Sequence, residues 1–187
     1  NWLPFYWRGF RQTTRYSYTI ALDADESLIY QNISKNYRQK IRTAQENLRV
    51  VYDRPLSELQ RLINLSFARQ GLSEPLSVPF FQRFYDTLLA NHACRLFFAI
   101  DPVSGATHSA ALLAWDNGSA YYLVSGDDPA LRASGSALLL KWEAIRYAKN
   151  ELKVPVFDFE GSMIRALEIG RLGEDQVHHL RHVDPRV

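Results

Sequence analysis

YYLVSGDDPALRASGSALLLKWEAIRYAKNELKVPVFDFEG, residues 121–161, switches twice between strand-like and helix-like patterning. Tyr121 to Val124 are strand formers, and Gly126-Asp127-Asp128-Pro129 stops them with the two residue types that most strongly break regular structure. Leu138, Leu139, Trp142, Ile145 and Ala148 then recur at three- and four-residue spacing, which is one face of a helix, and the polar run Lys149-Asn150-Glu151 ends it. Val154 to Phe159 reads as a second strand, closed by Gly161. Strand, loop, helix, strand predicts a βαβ unit over residues 120–160 with its two strands parallel, and so an α/β fold with a mixed sheet.

The chemistry of that unit sits where the first strand runs out. Arg132, Gly135 and Ala137 stand at the spacing R-x-x-G-x-A just before the helix. The free amides of a first helical turn carry partial positive charge, a glycine lets an anion approach the backbone, and an arginine adds a forked donor. Arg132, Ser134, Gly135, Ser136 and Ala137 are therefore the candidates for binding a donor phosphate. On this reading an aspartate at position 135 opposes the phosphate and leaves the fold intact. Ordinary helix capping by a Ser-Gly start accounts for the same residues and stays open beside it.

The pattern Arg132-x-x-Gly135-x-Ala137 between a strand and a helix resembles the pyrophosphate-binding loop of the GNAT acyltransferase superfamily. The wording around it, Tyr121-Tyr122-Leu-Val-Ser-Gly-Asp, Leu139-Leu-Lys-Trp-Glu-Ala-Ile and Phe157-Asp-Phe-Glu-Gly-Ser162, resembles the Fem-type branch in particular, over about residues 3–163. That branch contains acyl and aminoacyl transferases acting on cell-envelope precursors. The resemblance implies a GNAT-like sheet flanked by helices and an acyl-CoA or acetyl-CoA donor, with aminoacyl-tRNA as the alternative. The acceptor it implies is an amine, on an envelope or lipid precursor.

A chain of 187 residues, 47% hydrophobic and 13% aromatic, has the material for one sizeable core. A formal charge of +2 gives no reason of its own to invoke nucleic acid. The single cysteine, Cys94, lies among Ala93, Leu96, Phe97 and Phe98 and reads as a small core residue. A reducing, cytoplasmic location is the default expectation. No apolar run approaches the ~20 residues of a membrane span, and no signal-peptide pattern is visible. Residues 1–22 interleave aromatics with Arg8, Arg11 and Arg15, while Tyr16 to Ile20 alternates like a strand joining a sheet. In Fem-type proteins an arm crosses from one GNAT-like half into the next, and Pro4 to Gly9 with Thr14-Arg15-Tyr16 resembles it. The expected organisation is an arm over 1–22, a GNAT-like domain over 23–165 and an atypical tail over 166–187. On that resemblance a first half is missing here, which leaves any site shared between halves incomplete, and a missing N-terminal half or a homo-oligomer is the expected partner.

Asp25 to Leu48 reads as one basic helix, capped by Asp25 or Ser27, with Ile29, Ile33, Tyr37, Ile41, Ala44 and Leu48 as its apolar stripe. Arg38 and Arg42, one turn apart, form either a solvated basic face or a shared positive surface. The resemblance favours the second, placing this helix beside an acceptor cleft. Arg15, Arg38, Arg42 and Tyr121 are the acceptor-binding candidates. Downstream, the pattern predicts a short strand at Leu48–Tyr52, helices after Pro55 and at Phe80–Asn91, and a hairpin of Arg95–Ile100 with His108–Trp115 around Asp101-Pro-Val-Ser-Gly105.

In Val156-Phe-Asp-Phe-Glu160, strand alternation puts Asp158 and Glu160 on one side. A strand that follows a crossover helix is expected to be buried on both faces, and buried carboxylates need partners or a purpose. One purpose is a general base for an attacking amine; the alternative is an ion pair with Arg38 or Arg42. Glu160, Asp158 and Tyr122 are the catalytic candidates. His178, His179 and His182 lack an accompanying carboxylate or Cys at a convincing distance, so no metal is expected. With no Cys-His or Ser-His-Asp arrangement, a covalent acyl-enzyme is not expected either. Two functions compete: direct transfer of an acyl or aminoacyl group to an amine, and a GNAT-shaped module that binds an anionic precursor without turnover.

Overall fold

Six strands form one mixed sheet in a computed structural model that describes residues 3–10, 17–72 and 77–160. They are β1 (Thr19–Ala21), β2 (Arg49–Val51), β3 (Cys94–Ile100), β4 (Thr107–Trp115), β5 (Ser119–Asp127) and β6 (Val156–Asp158), and their order is β1-β6-β5-β4-β3-β2. β3, β4 and β5 are antiparallel neighbours joined by tight turns. In the first turn Asp101 Oδ1 accepts from the amides of Val103 and Ser104, and Gly105 takes the left-handed conformation. β5 and β6 are parallel, as the βαβ reading requires. Their pairing runs only from Ser119↔Val156 to Tyr121↔Asp158, while β5 continues to Asp127. A register shift on β4 between Leu112 and Leu113 skips Leu123 on β5, a bulge just where β5 parts from β6.

Both faces of the sheet are covered, so β4 is buried along nearly its whole length. Alternation sorts its residues: Ala111 and Leu113 join one core cluster with Phe97, Ala99, Tyr122 and Phe157, whereas Ala110 and Leu112 join the other with Leu96 and Phe98. The first face carries α2 (Glu26–Asn32), α3 (Lys35–Asn47) and α6 (Ser136–Tyr147). The second carries α4 (Leu56–Arg69) and α5 (Val78–Ala90). α6 lies between the sheet and α3, so Leu140 and Ala144 are buried together with the expected Leu139, Trp142 and Ile145.

Three local expectations change. The basic segment is two helices, broken at Ile33 and Ser34, where Ser34 Oγ accepts from the Tyr37 amide and restarts the chain as α3. Gly126 is not a turn residue, because β5 passes straight through it. A Cβ there would stand 2.6 Å from the Leu62 carbonyl oxygen and closer still to the Ile63 nitrogen, so the glycine lets α4 lie directly on the strand. The second strand of the βαβ unit ends at Asp158, and Glu160 has φ +62°. The alternation that placed the two carboxylates on one face therefore fails, and both are half-buried.

By contacts the chain divides into two compact units, Thr19–Glu160 and a second made of Asn1–Tyr18 with Gly161–Val187. The described part of the second holds α1 (Leu3–Tyr6) and a turn at Gly9, with the Phe5 and Phe10 rings edge to face. Arg15, the expected tail and its histidines lie outside the described residues. Among the described residues no helix is long and apolar enough to cross a membrane.

Candidate active site

The cradle is assembled in four steps from the end of β5. Asp127 is pinned to α4 by Ser66, whose Oγ accepts from the Asp127 amide at 2.9 Å and donates to its carbonyl oxygen at 3.1 Å. Asp128 Oδ1 then accepts from the Ala130 amide and starts a 310 turn, Pro129–Ser134. Gly135, at φ +75°, ends that turn and starts α6. Ser136 is 1% exposed, and its Oγ lies 2.6 Å from Ser109 Oγ on β4, which ties the first residue of α6 to the sheet.

A cleft of about 310 Å³ opens over this helix start, lined by Arg132, Gly135, Ser136, Ala137 and Leu138 from the cradle and by Tyr37 and Lys40 from α3. A Cβ on Gly135 would sit 3.0 Å from the Lys40 carbonyl oxygen, so glycine is needed both for its conformation and for the approach of α3. Ser136 contributes its backbone, its hydroxyl being turned into the core. Ser134 caps weakly, accepting from the Ser136 amide at 3.4 Å. Asp127 also lines the cleft, and its Oδ2 lies 2.7 Å from Arg132 Nε, an ion pair by distance without the angle of a hydrogen bond. Arg132 is more than half exposed, so the pair is weak and the guanidinium can turn to an anion. Arg132 and the start of α6 form one wall of the cleft together with the Asp127 carboxylate, and Lys40 borders it with its carbonyl oxygen over Gly135.

Next to the cleft is an apolar pocket of about 220 Å³ between α3, α6, β1 and the end of β6. Tyr37 and Leu138 line both cavities. Lys141 also lines the pocket, its Nζ 5.4 Å from the centre of the Tyr122 ring. Burial pushes the Lys141 ammonium pKa down, with the Asp127 carboxylate acting the other way. Tyr122 is 5% exposed; burial raises its hydroxyl pKa, and a hydrogen bond with Ser125 works against that. Its hydroxyl is thus protonated at neutral pH.

The remaining candidates scatter. Asp158 Oδ1 accepts from the Glu160 amide at 2.8 Å, so the two form one local turn beside Phe159, which lines the apolar pocket. Arg38 donates from Nη1 to the carbonyls of Gln31 and Ile33, closing the end of α2. Arg42 faces an open groove with Glu26, Tyr30 and Arg146. Tyr121 donates to Asp116 Oδ2 at 3.1 Å, at the turn between β4 and β5. Sequence reasoning missed Tyr37 and Lys40 as cleft residues, although Tyr37 was the most polar member of the stripe and Lys40 its neighbour. It missed Asp127 by reading it as loop.

A family model described as an acetyltransferase (GNAT) domain matches residues 31–166. Among solved structures, FemX superposes with a TM-score of 0.71 at 15% identity, covering 78% of this chain and 52% of that one. A conserved protein of unknown function from Bacteroides thetaiotaomicron scores 0.53 at 13% identity, covering 85% and 56%. The C-terminal domain of a putative lysylphosphatidylglycerol synthetase from Agrobacterium fabrum scores 0.51 at 15% identity, covering 80% and 48%. The chain thus spans about half the length of these three, and at such identities the likeness is one of fold. No curated protein matches the chain in sequence. With the family model matched over most of the chain and the sheet, parallel pair and helix-start cleft all in place, the chain belongs to the acetyltransferase (GNAT) domain family.

Proposed function

We propose that this chain is an N-acyltransferase whose cleft holds the phosphates of an acyl-CoA donor and passes the acyl group to an amine. The observation that carries the reading is the cleft itself: a left-handed Gly135 at the start of α6, in a cleft lined by Arg132 and Lys40. Arg132 and Lys40 supply charge to the donor phosphates, and the Ala137 amide supplies a backbone donor, with the Gly135 and Ser136 amides joining it by exchanging their 3.4 Å bonds to Arg132 and Ser134. A thioester is already activated, so the protein's work is orientation and proton transfer. Glu160 or Asp158 takes the proton from the attacking amine as the C–S bond breaks and CoA leaves, with Tyr122 the proposed hydrogen-bond donor to the leaving sulfur. Arg15, Arg38, Arg42 and Tyr121 remain proposed contacts for an acceptor, an envelope or lipid precursor, with aminoacyl-tRNA as the alternative donor.

Titration calorimetry with CoA tests the reading. Wild-type protein is expected to bind, and Arg132→Ala to weaken binding by tenfold or so, the scale of one charge-assisted contact. Absence of CoA binding, or an affinity indifferent to Arg132, removes the donor site. Binding with no transfer to any amine leaves a module that holds its ligand without turnover.

A further inference from the structure

Among the described residues, exposed apolar side chains are densest near the start of the chain, where Leu3, Phe5, Tyr6, Trp7 and Phe10 are each between 51% and 74% exposed. Single exposed apolar residues are ordinary, whereas a cluster of large ones marks a surface that meets a partner. The segment is locally well formed. Pro4 suits the first turn of α1, and a Schellman turn closes it: the Phe10 amide donates to the Phe5 carbonyl and the left-handed Gly9 donates to Tyr6. The edge-to-face pair of Phe5 and Phe10 is the apolar contact that accompanies such a turn. The amides of Trp7, Arg8, Gly9 and Phe10 all donate to carbonyls within the turn, so it enters a less polar medium without stranding them. Charge selects the medium. Arg8 stands in the turn, Arg11 and Arg15 follow in the sequence, and no acidic residue precedes Asp23. Tryptophan and tyrosine favour the headgroup level of a bilayer, and arginines are drawn to anionic lipids. A protein neighbour would cover the same rings, but cations without acids match lipid phosphates. A nucleic acid would be gathered by a wide basic field, which a formal charge of +2 does not supply.

We propose that the turn at residues 3–10 is a membrane-surface contact, which seats Tyr6, Trp7 and Phe10 at the boundary of an anionic bilayer with Arg8 among its headgroups. It stands independently of what the cleft at Gly135 binds.

The test is cosedimentation of the 187-residue chain with vesicles of phosphatidylcholine alone and of phosphatidylcholine mixed with phosphatidylglycerol. The anionic vesicles are expected to carry the protein down and the neutral ones to hold it more weakly, with the difference shrinking as salt is added. Trp7→Ala should weaken binding to the anionic vesicles about tenfold, the scale of one large apolar side chain returned to water, and Trp7→Phe should retain most of it. Arg8→Gln should cost about fivefold on the anionic vesicles and little on the neutral ones. Both side chains are exposed, so the variants should melt as the wild type does. Protein left in solution with both vesicles, or sedimentation indifferent to Trp7→Ala, overturns the proposal. A concentration-dependent dimer that Trp7→Ala dissolves also overturns it, making the turn a contact between copies, as does tighter binding to a single-stranded oligonucleotide than to the anionic vesicles.

Discussion

Gly135 carries two constraints at one Cα. Its left-handed φ of +75° is a conformation in which any other residue costs about 1–2 kcal/mol, and a Cβ would press on the Lys40 carbonyl. Gly135→Ala is therefore expected to lower the stability of the domain by at least that amount in urea melts. The same crowding corrects the expectation that an aspartate there would leave the fold intact: its melting temperature should fall, and weaker ligand binding by such a variant says nothing about charge. Arg132→Ala is the cleaner probe. Cys94 makes a second residue-scale prediction. It is buried, and burial pushes its thiol up to about 11 from an ordinary 9.0. The folded state holds its proton more tightly, so the stability this contributes is present below pH 9 and is lost as pH rises toward 11. In native protein at pH 8 the thiol should resist alkylation and become reactive only in denaturant. Rapid labelling of folded protein would place it at the surface.

At the scale of elements, the start of α6 is held to β4 by one buried hydroxyl pair, Ser109 and Ser136. Removing one partner strands the other away from water at a cost of about 1–3 kcal/mol, whereas removing both leaves nothing unsatisfied. Ser136→Ala should therefore destabilise more than the double change Ser109→Ala with Ser136→Ala, and a denaturation cycle over the four proteins measures it. Additive losses would mean that the hydroxyls do not depend on each other. On the opposite face, α4 lies against β5 at Gly126, where a Cβ would meet the helix backbone itself. Backbone cannot rotate aside as a side chain can, so Gly126→Ala should cost several kcal/mol, on the order of an overpacked core. A melting temperature within a degree or two of wild type would show that the helix yields freely.

For the whole domain, the decisive fact is that one sheet serves two cores. Leu112 and Leu113 are adjacent, fully buried and on opposite faces. Each truncation to alanine should cost about 2–5 kcal/mol, and both should shift one and the same transition, because neither helical layer has a sheet of its own. Two separate transitions in calorimetry would mean that the faces unfold independently. The same arrangement accounts for the site: α3 and α6 share the first face, so the helix start at the end of β5 acquires a wall from α3.

Much of this was legible in the residues, because period-2 and period-3.6 patterns report which side of an element is apolar whatever stands opposite. The parallel pair of β5 and β6, the hairpin of β3 and β4, the inward face of α4 and the helix start at Gly135 all follow from such local signals. Gly126 looked like a breaker because a glycine in sequence does not disclose whether it turns the chain or admits a neighbour. Glu160 looked like a strand partner of Asp158 because alternation carries no mark of where the strand stops. That Lys40 rather than Arg38 or Arg42 lines the cleft, and that Asp127 stands against Arg132, depended on the rotation of α3 against α6 and on where β5 ends. Those are contacts between residues far apart in the chain. Their geometry comes from filling the shared core, and no single stretch of sequence encodes it.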